Sequence, residues 1–190
     1  MSMATFRTSR PVSLTELGEP HIILVGLPGA GKSTVGRALA DKLSRPFLDF
    51  DLELARREGK PVAAIFAEDG EPRFRELERL LTREIAAVGG MVVAPGSGWI
   101  ADERNVAAVR PPALLVWLKV TPEVALGRVR SDTTVRPLLS QGDPLAGLRR
   151  LLTERVGYFE QADVVVDTGL LTLAQAVERV AALASRSGPG

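Results

Sequence analysis

Short apolar runs of strand length alternate along this chain with stretches of helical period. HIILVG (21–26), PFLDF (46–50), MVVAP (91–95), ALLVWLKV (113–120) and DVVVDT (163–168) are rich in branched and aromatic side chains. Between them lie segments such as KSTVGRALADKL (32–43) and GEPRFRELERLLTREIAAV (70–88), whose apolar positions recur every three or four residues. Apolar strands alternating with amphipathic helices predict βαβ units, and so an α/β fold with a mainly parallel sheet flanked by helices. Gly59 and Pro61 in RREGKP stop one helix, and Gly89 and Gly90 stop the long one. No internal repeat interrupts the alternation.

The pattern also marks what lies outside it. Residues 1–20 carry two prolines and no sustained period, which predicts a loosely ordered N-terminal arm. Residues 186–190 read as a frayed tail, leaving one domain over 21–185. RSDTTVRPLLSQGDP (130–144) is polar and proline-punctuated between two helical segments, the signature of a surface loop.

Composition narrows the class further. A chain of 190 residues, 45% of them hydrophobic, can bury one good core. With 24 basic against 23 acidic residues, no global field points to nucleic acid or an anionic membrane. Cysteine is absent, which excludes disulfides, thiolate metal sites and a cysteine nucleophile and fits a reducing compartment. No apolar run approaches the roughly 18 residues of a membrane span, and the N-terminus lacks the apolar core of a secretory signal. The expectation is a cytoplasmic monomer.

Candidate chemistry begins at GLPGAGKST (26–34). Gly26, Gly31, Lys32 and Ser33 fit G-x-x-x-x-G-K-[ST], with a strand before and an amphipathic helix after. Such a loop turns successive backbone N–H groups onto phosphate oxygens and aims a helix N-terminus at them. Gly29, Ala30, Gly31, Lys32, Ser33 and Thr34 are therefore the expected ATP-binding residues, with Lys32 on the β/γ-phosphates and the Ser33 hydroxyl toward Mg²⁺.

The next segment, LDFDLEL, places Asp49 and Asp51 two apart, on one side of an extended stretch at the carboxyl end of a strand. Two roles are open to Asp51: a site carboxylate, or a cap on the helix that follows. In FAEDGEPRFRELE, the charges Glu71, Arg73, Arg75, Glu76 and Glu78, with Arg79 just beyond, read by themselves as a solvated helix face. Arg128 and Arg130, before the polar loop, read either as adenine neighbours or as solvated charges. His21 and Trp117 read as structural, and Trp99 as a candidate lining of an acceptor pocket.

Taken in order, the P-loop, D-x-D, DGE followed by FR, PGSGW, TTVRPLL and a late arginine before an aromatic residue resemble the shikimate kinase family from about residue 21 to 168. The resemblance implies a three-layer P-loop kinase fold with a five-stranded parallel sheet and a mobile lid over about 131–142. It also implies transfer of the ATP γ-phosphate to a hydroxyl of shikimate, the 3-hydroxyl, in aromatic amino-acid biosynthesis. Arg75 and Arg155 correspond to the family's carboxylate-binding arginines, and guanidinium forks suit that task. Asp51 matches the carboxylate that holds the ring hydroxyls and takes the attacking hydroxyl's proton. Asp49 matches a metal-side carboxylate acting through water, and Arg136 a lid arginine over ATP. Gly96, Ser97 and Gly98 fall on the family's substrate-binding glycine turn.

Three departures qualify the match. Ser97 stands where the family has a glycine, and crowding of the substrate by its hydroxymethyl group is the favoured expectation. Backbone strain, or a hydroxyl offered to the substrate, are the alternatives. After Arg155, RVGYF offers either Tyr158 or Phe159 as the aromatic. The N-terminal arm has no assigned role. The alternative function for the whole chain is a non-catalytic, kinase-like module that binds a related carboxylate.

Overall fold

The structure, a computed structural model, describes residues 19–130 and 142–185. Five strands, β1 (Ile22–Val25), β2 (Phe47–Asp49), β3 (Val92–Ala94), β4 (Leu114–Lys119) and β5 (Val164–Asp167), form one parallel sheet in the order β2-β3-β1-β4-β5. Eight helices flank it among the described residues: α1 (Lys32–Leu43), α2 (Phe50–Glu58), α3 (Val62–Glu68), α4 (Gly70–Ala86), α5 (Glu103–Val109), α6 (Pro122–Arg130), α7 (Pro144–Phe159) and α8 (Leu173–Ala184). The α/β expectation and its parallel sheet hold.

Central β1 explains its own composition. All four of its residues are buried, with Ile22 in register with Val92 on one side and Leu114 on the other. A strand covered on both faces has no solvated side for a polar residue, hence the unbroken IILV. From β1 the chain crosses to one sheet edge before β3 and to the other after it, so the order reverses at β1. Ligands of open parallel sheets sit beyond the strand carboxyl ends at such a point, which is where β1 runs into GLPGAGKST.

The core continues outward from the sheet. Trp117 in β4 stacks on Phe159 at the end of α7, ring centroids 5.6 Å apart. Phe159 is thus the buried aromatic after Arg155, while Tyr158 is only partly buried. His21, also buried, receives the Met91 N–H on Nδ1 and donates from Nε2 to the Ile85 carbonyl, tying the start of β1 to the end of α4. Its burial pulls its pKa down, consistent with a structural, neutral imidazole.

Local capping sets the helix starts near the site. Asp49, the last residue of β2, accepts the Leu52 N–H as N-cap of α2. The helix therefore begins at Phe50, earlier than LELARRE suggested, and Asp51 lies in its first turn rather than on an extended segment. The capping alternative for Asp51 is thereby corrected, because its neighbour fills that position. Helix α3 has no counterpart in the sequence reading; it packs on α4, where Phe66 meets Phe74 at 4.6 Å between ring centroids.

Candidate active site

At the carboxyl ends of the strands opens a cavity of about 590 Å³. The phosphate loop forms one wall. Gly26, Gly29 and Gly31 all have positive φ, of 146°, 80° and 91°. At Gly26 a Cβ would stand 2.5 Å from the Leu118 carbonyl oxygen, and at Gly29 2.4 Å from that of Ala125. Both conformation and space exclude a side chain there.

The loop ends in α1, whose first-turn amides, from Lys32 to Thr34, have no intrahelical acceptor. Lys32 Nζ donates to the carbonyls of Gly26 and Leu27, at 2.9 and 3.1 Å, holding the loop closed around its own ammonium. Ala30 is fully buried and its N–H turns inward to the Leu27 carbonyl. It lines the cavity together with the rest of the loop.

Ser33 and Asp49 meet across the floor. The Ser33 hydroxyl donates to Asp49 Oδ2 at 2.5 Å, so two hard oxygen ligands lie side by side below the loop. Arg128 bridges the loop to the end of β5, donating to the carbonyls of Gly29 and Thr168 and to the Thr168 hydroxyl. It is a wall of the cavity, whereas Arg130 is exposed. Arg136 and nearly all of the predicted lid lie outside the described residues.

A second part of the lining comes from α2, α4 and the turn after β3, which Arg155 of α7 reaches through Ser97. Asp51, Arg75, Gly96, Ser97 and Gly98 form it together. Arg75 donates to Glu71 Oε1 from Nη2 at 2.8 Å and to Glu78 Oε2 from Nη1 at 2.5 Å. Arg155 Nη1 donates to the Ser97 hydroxyl at 3.0 Å. Burial pulls the Arg155 pKa down and the positive charge of Arg75 adds to the effect, which places two cations within electrostatic reach in one recess.

Glu78 is the residue the sequence reading missed. It was placed on a solvated face, yet its side chain is 0% exposed. The signal was present: Phe74, Leu77, Leu81 and Ile85 make the buried stripe of α4, and position 78 falls inside it at helical spacing. Oε1 of Glu78 has no hydrogen-bond partner among the described residues. Burial pushes its pKa up to about 7, against the opposing pull of Arg75.

The glycines of the turn answer to these two side chains. A Cβ on Gly96 would stand 2.7 Å from Glu78 Oε1, and one on Gly98 2.5 Å from Arg75 Nη2. Neither glycine has a positive φ, so the requirement is space rather than conformation. Ser97 also avoids the left-handed region, which removes the strain alternative. Trp99, expected to line the acceptor pocket, is instead fully buried. Its Nε1 donates to the Thr82 hydroxyl, which donates in turn to the Glu78 carbonyl, locking the turn onto α4.

Linkage gives Glu78 a measurable signature. Its folded pKa lies above the ordinary 4.5, so its contribution to stability is full below that value and is lost as pH rises through about 7. The stability of the native chain relative to Glu78→Gln should therefore fall between pH 5 and pH 8 in urea titrations. A difference that stays constant over that range would mean Glu78 does not titrate there.

A mononucleotide-type phosphate loop on one wall and a two-arginine recess with a carboxylate on the other define a P-loop kinase for a small anionic acceptor. The family model for shikimate kinase matches residues 28–184. A shikimate kinase of Desulforudis audaxviator is 48% identical over 157 residues, covering 83% of this chain and 82% of its own. One from Pelotomaculum thermopropionicum is 42% identical over 160 residues, covering 84% and 92%. The structure of the Acinetobacter baumannii shikimate kinase in complex with shikimate superposes with a TM-score of 0.84 at 33% identity, covering 90% of this chain and 96% of that one. The chain belongs to the shikimate kinase family.

Proposed function

We propose that the chain transfers the γ-phosphate of ATP to the 3-hydroxyl of shikimate, as a monomer, and that the cavity divides the work between its two walls. The observation that carries this reading is that Arg75 lines the same cavity as the phosphate loop, Asp51 and Ser97, with Arg155 bonded to Ser97 and within electrostatic reach of Arg75. The shikimate carboxylate lies against those guanidinium groups, which suit it by charge and by geometry. Glu71 and Glu78 hold Arg75 in place, so its fork is oriented before the substrate arrives.

Fixing the carboxylate at one edge of the ring turns the hydroxyls toward Asp51. Asp51 takes the proton of the attacking hydroxyl as its oxygen forms the new bond to phosphorus, and the bond from the γ-phosphorus to the bridging oxygen of ADP breaks. Phosphoryl transfer of this kind is chiefly positioning and charge stabilisation. The amides of Gly29 to Thr34 hold the phosphate oxygens, and Lys32 neutralises charge on the transferring group. Arg136 adds a second cation.

Ser33 Oγ and Asp49 fit Mg²⁺, since both offer oxygen ligands and they already meet at 2.5 Å. Ser33 would hold the ion and Asp49 would support it through water, and the ion would supply charge neutralisation on the ATP phosphates. No helix among the described residues is long and apolar enough to cross a membrane.

A coupled ADP-release assay with shikimate, quinate and gluconate tests the proposal. Turnover is expected with shikimate, with loss in EDTA and recovery on adding Mg²⁺. ADP release that is equal for all three acceptors, or absent with shikimate and Mg²⁺ both present, would overturn it.

A further inference from the structure

Ser97 sits in a turn whose other two positions are crowded by site side chains, since Gly96 is pressed by Glu78 and Gly98 by Arg75. A side chain at 97 points elsewhere, and its hydroxyl lies 3.0 Å from Arg155 Nη1. Arginine has only donors, so the serine oxygen is the acceptor in this bond and its own proton remains available to another partner. The two arginines of the recess are served unequally. Arg75 is bound by the carboxylates of Glu71 and Glu78, whereas the bond described for Arg155 goes to a neutral hydroxyl.

We propose that Ser97 is a positioning residue for the acceptor: its oxygen fixes the Arg155 guanidinium at the recess, and its proton is donated to the carboxylate of the bound acid. This rests on the reading of Arg75 and Arg155 as the carboxylate site. A neutral acceptor suits this place for a physical reason. A carboxylate at 97 would satisfy Arg155 with an internal charge and repel the anion the recess is there to receive, whereas a hydroxyl orients the cation and leaves its charge unspent. The proposal reverses the crowding expectation, because it makes the serine side chain a help to binding rather than an obstruction.

The effect falls on substrate binding. Ser97→Ala and Ser97→Gly are both expected to raise the KM for shikimate roughly five- to tenfold, the scale of one hydrogen bond. The KM for ATP should hold, with any change in kcat smaller than that in KM. In an Arg155→Ala background, removing the Ser97 hydroxyl should lower kcat/KM by less than in the native chain, since the group it orients is gone and only its own bond to the carboxylate is lost. With the methyl ester of shikimate as acceptor, the Ser97→Ala penalty should shrink.

Each outcome is decisive. A lower shikimate KM in Ser97→Gly restores crowding and overturns the proposal, and an unchanged KM in both variants overturns it as well. A Ser97→Ala penalty of equal size with and without Arg155 shows that the hydroxyl does not act through that arginine. Arg155→Ala with an unaltered shikimate KM would instead sink the underlying reading of the carboxylate site, a result separable from any obtained at position 97.

Discussion

Lys32→Ala is expected to lower kcat by about 10²–10³-fold or more while leaving the fold intact, because an ammonium in an enclosed phosphate site stabilises charge that develops in transfer. The structure indicates why the fold should survive. Lys32 is only partly buried and lines the cavity, so truncating it leaves a space that water can enter rather than a closed void in the core. Circular dichroism and the thermal midpoint should stay close to those of the native chain. A folded Lys32→Ala protein turning over at near-normal rate would exclude phosphoryl transfer at this loop.

For Asp51→Asn, a loss of about 10²–10⁴-fold in kcat is expected, with shikimate binding weakened much less. The amide keeps the shape of the carboxylate and its hydrogen bonds to ring hydroxyls, but it cannot accept a proton. Asp51 sits in the first turn of α2, where the helix N-terminus favours a negative charge. Equilibrium binding measured beside turnover separates the two effects. Unchanged kcat in a folded variant would take Asp51 out of the role of base; binding lost as heavily as turnover would make it a binding group alone.

How far these roles could be read from the sequence depended on whether a residue's task is local. The phosphate loop was legible because its chemistry needs only a turn between a strand and a helix, and both flanks carry their own periodic signature. Strand β1 was equally plain, since burial on both faces leaves no polar residue to confuse the period, and β4 carries its one polar residue, Lys119, at its exposed end. Asp51 was found but misplaced by one turn of structure, because the choice between Asp49 and Asp51 as cap is settled by a single hydrogen bond to Leu52. Glu78 was lost because a charge on a helix is read as solvated unless its angular position is weighed against the stripe around it. Trp99 was drawn toward the pocket by adjacency in sequence, while its indole N–H is claimed by Thr82 in the core. Residues that act by filling space left by other residues leave no pattern of their own.

The turn after β3 carries a consequence for how this chain can change over generations. At position 98 an added methyl group would meet the mobile end of Arg75, not backbone, so the fold would tolerate it by letting the guanidinium swing aside. Mutations there loosen the Arg75–Glu78 pair as well as the acceptor site, which ties the fates of positions 98 and 75 through folding and catalysis together. Position 96 is tied in the same way to Glu78. Ser97, flanked by two such locked neighbours, is the point in the turn where a lineage is free to try a new side chain, and a survey of its variants would map how the family adjusts its grip on the acceptor without rebuilding the site.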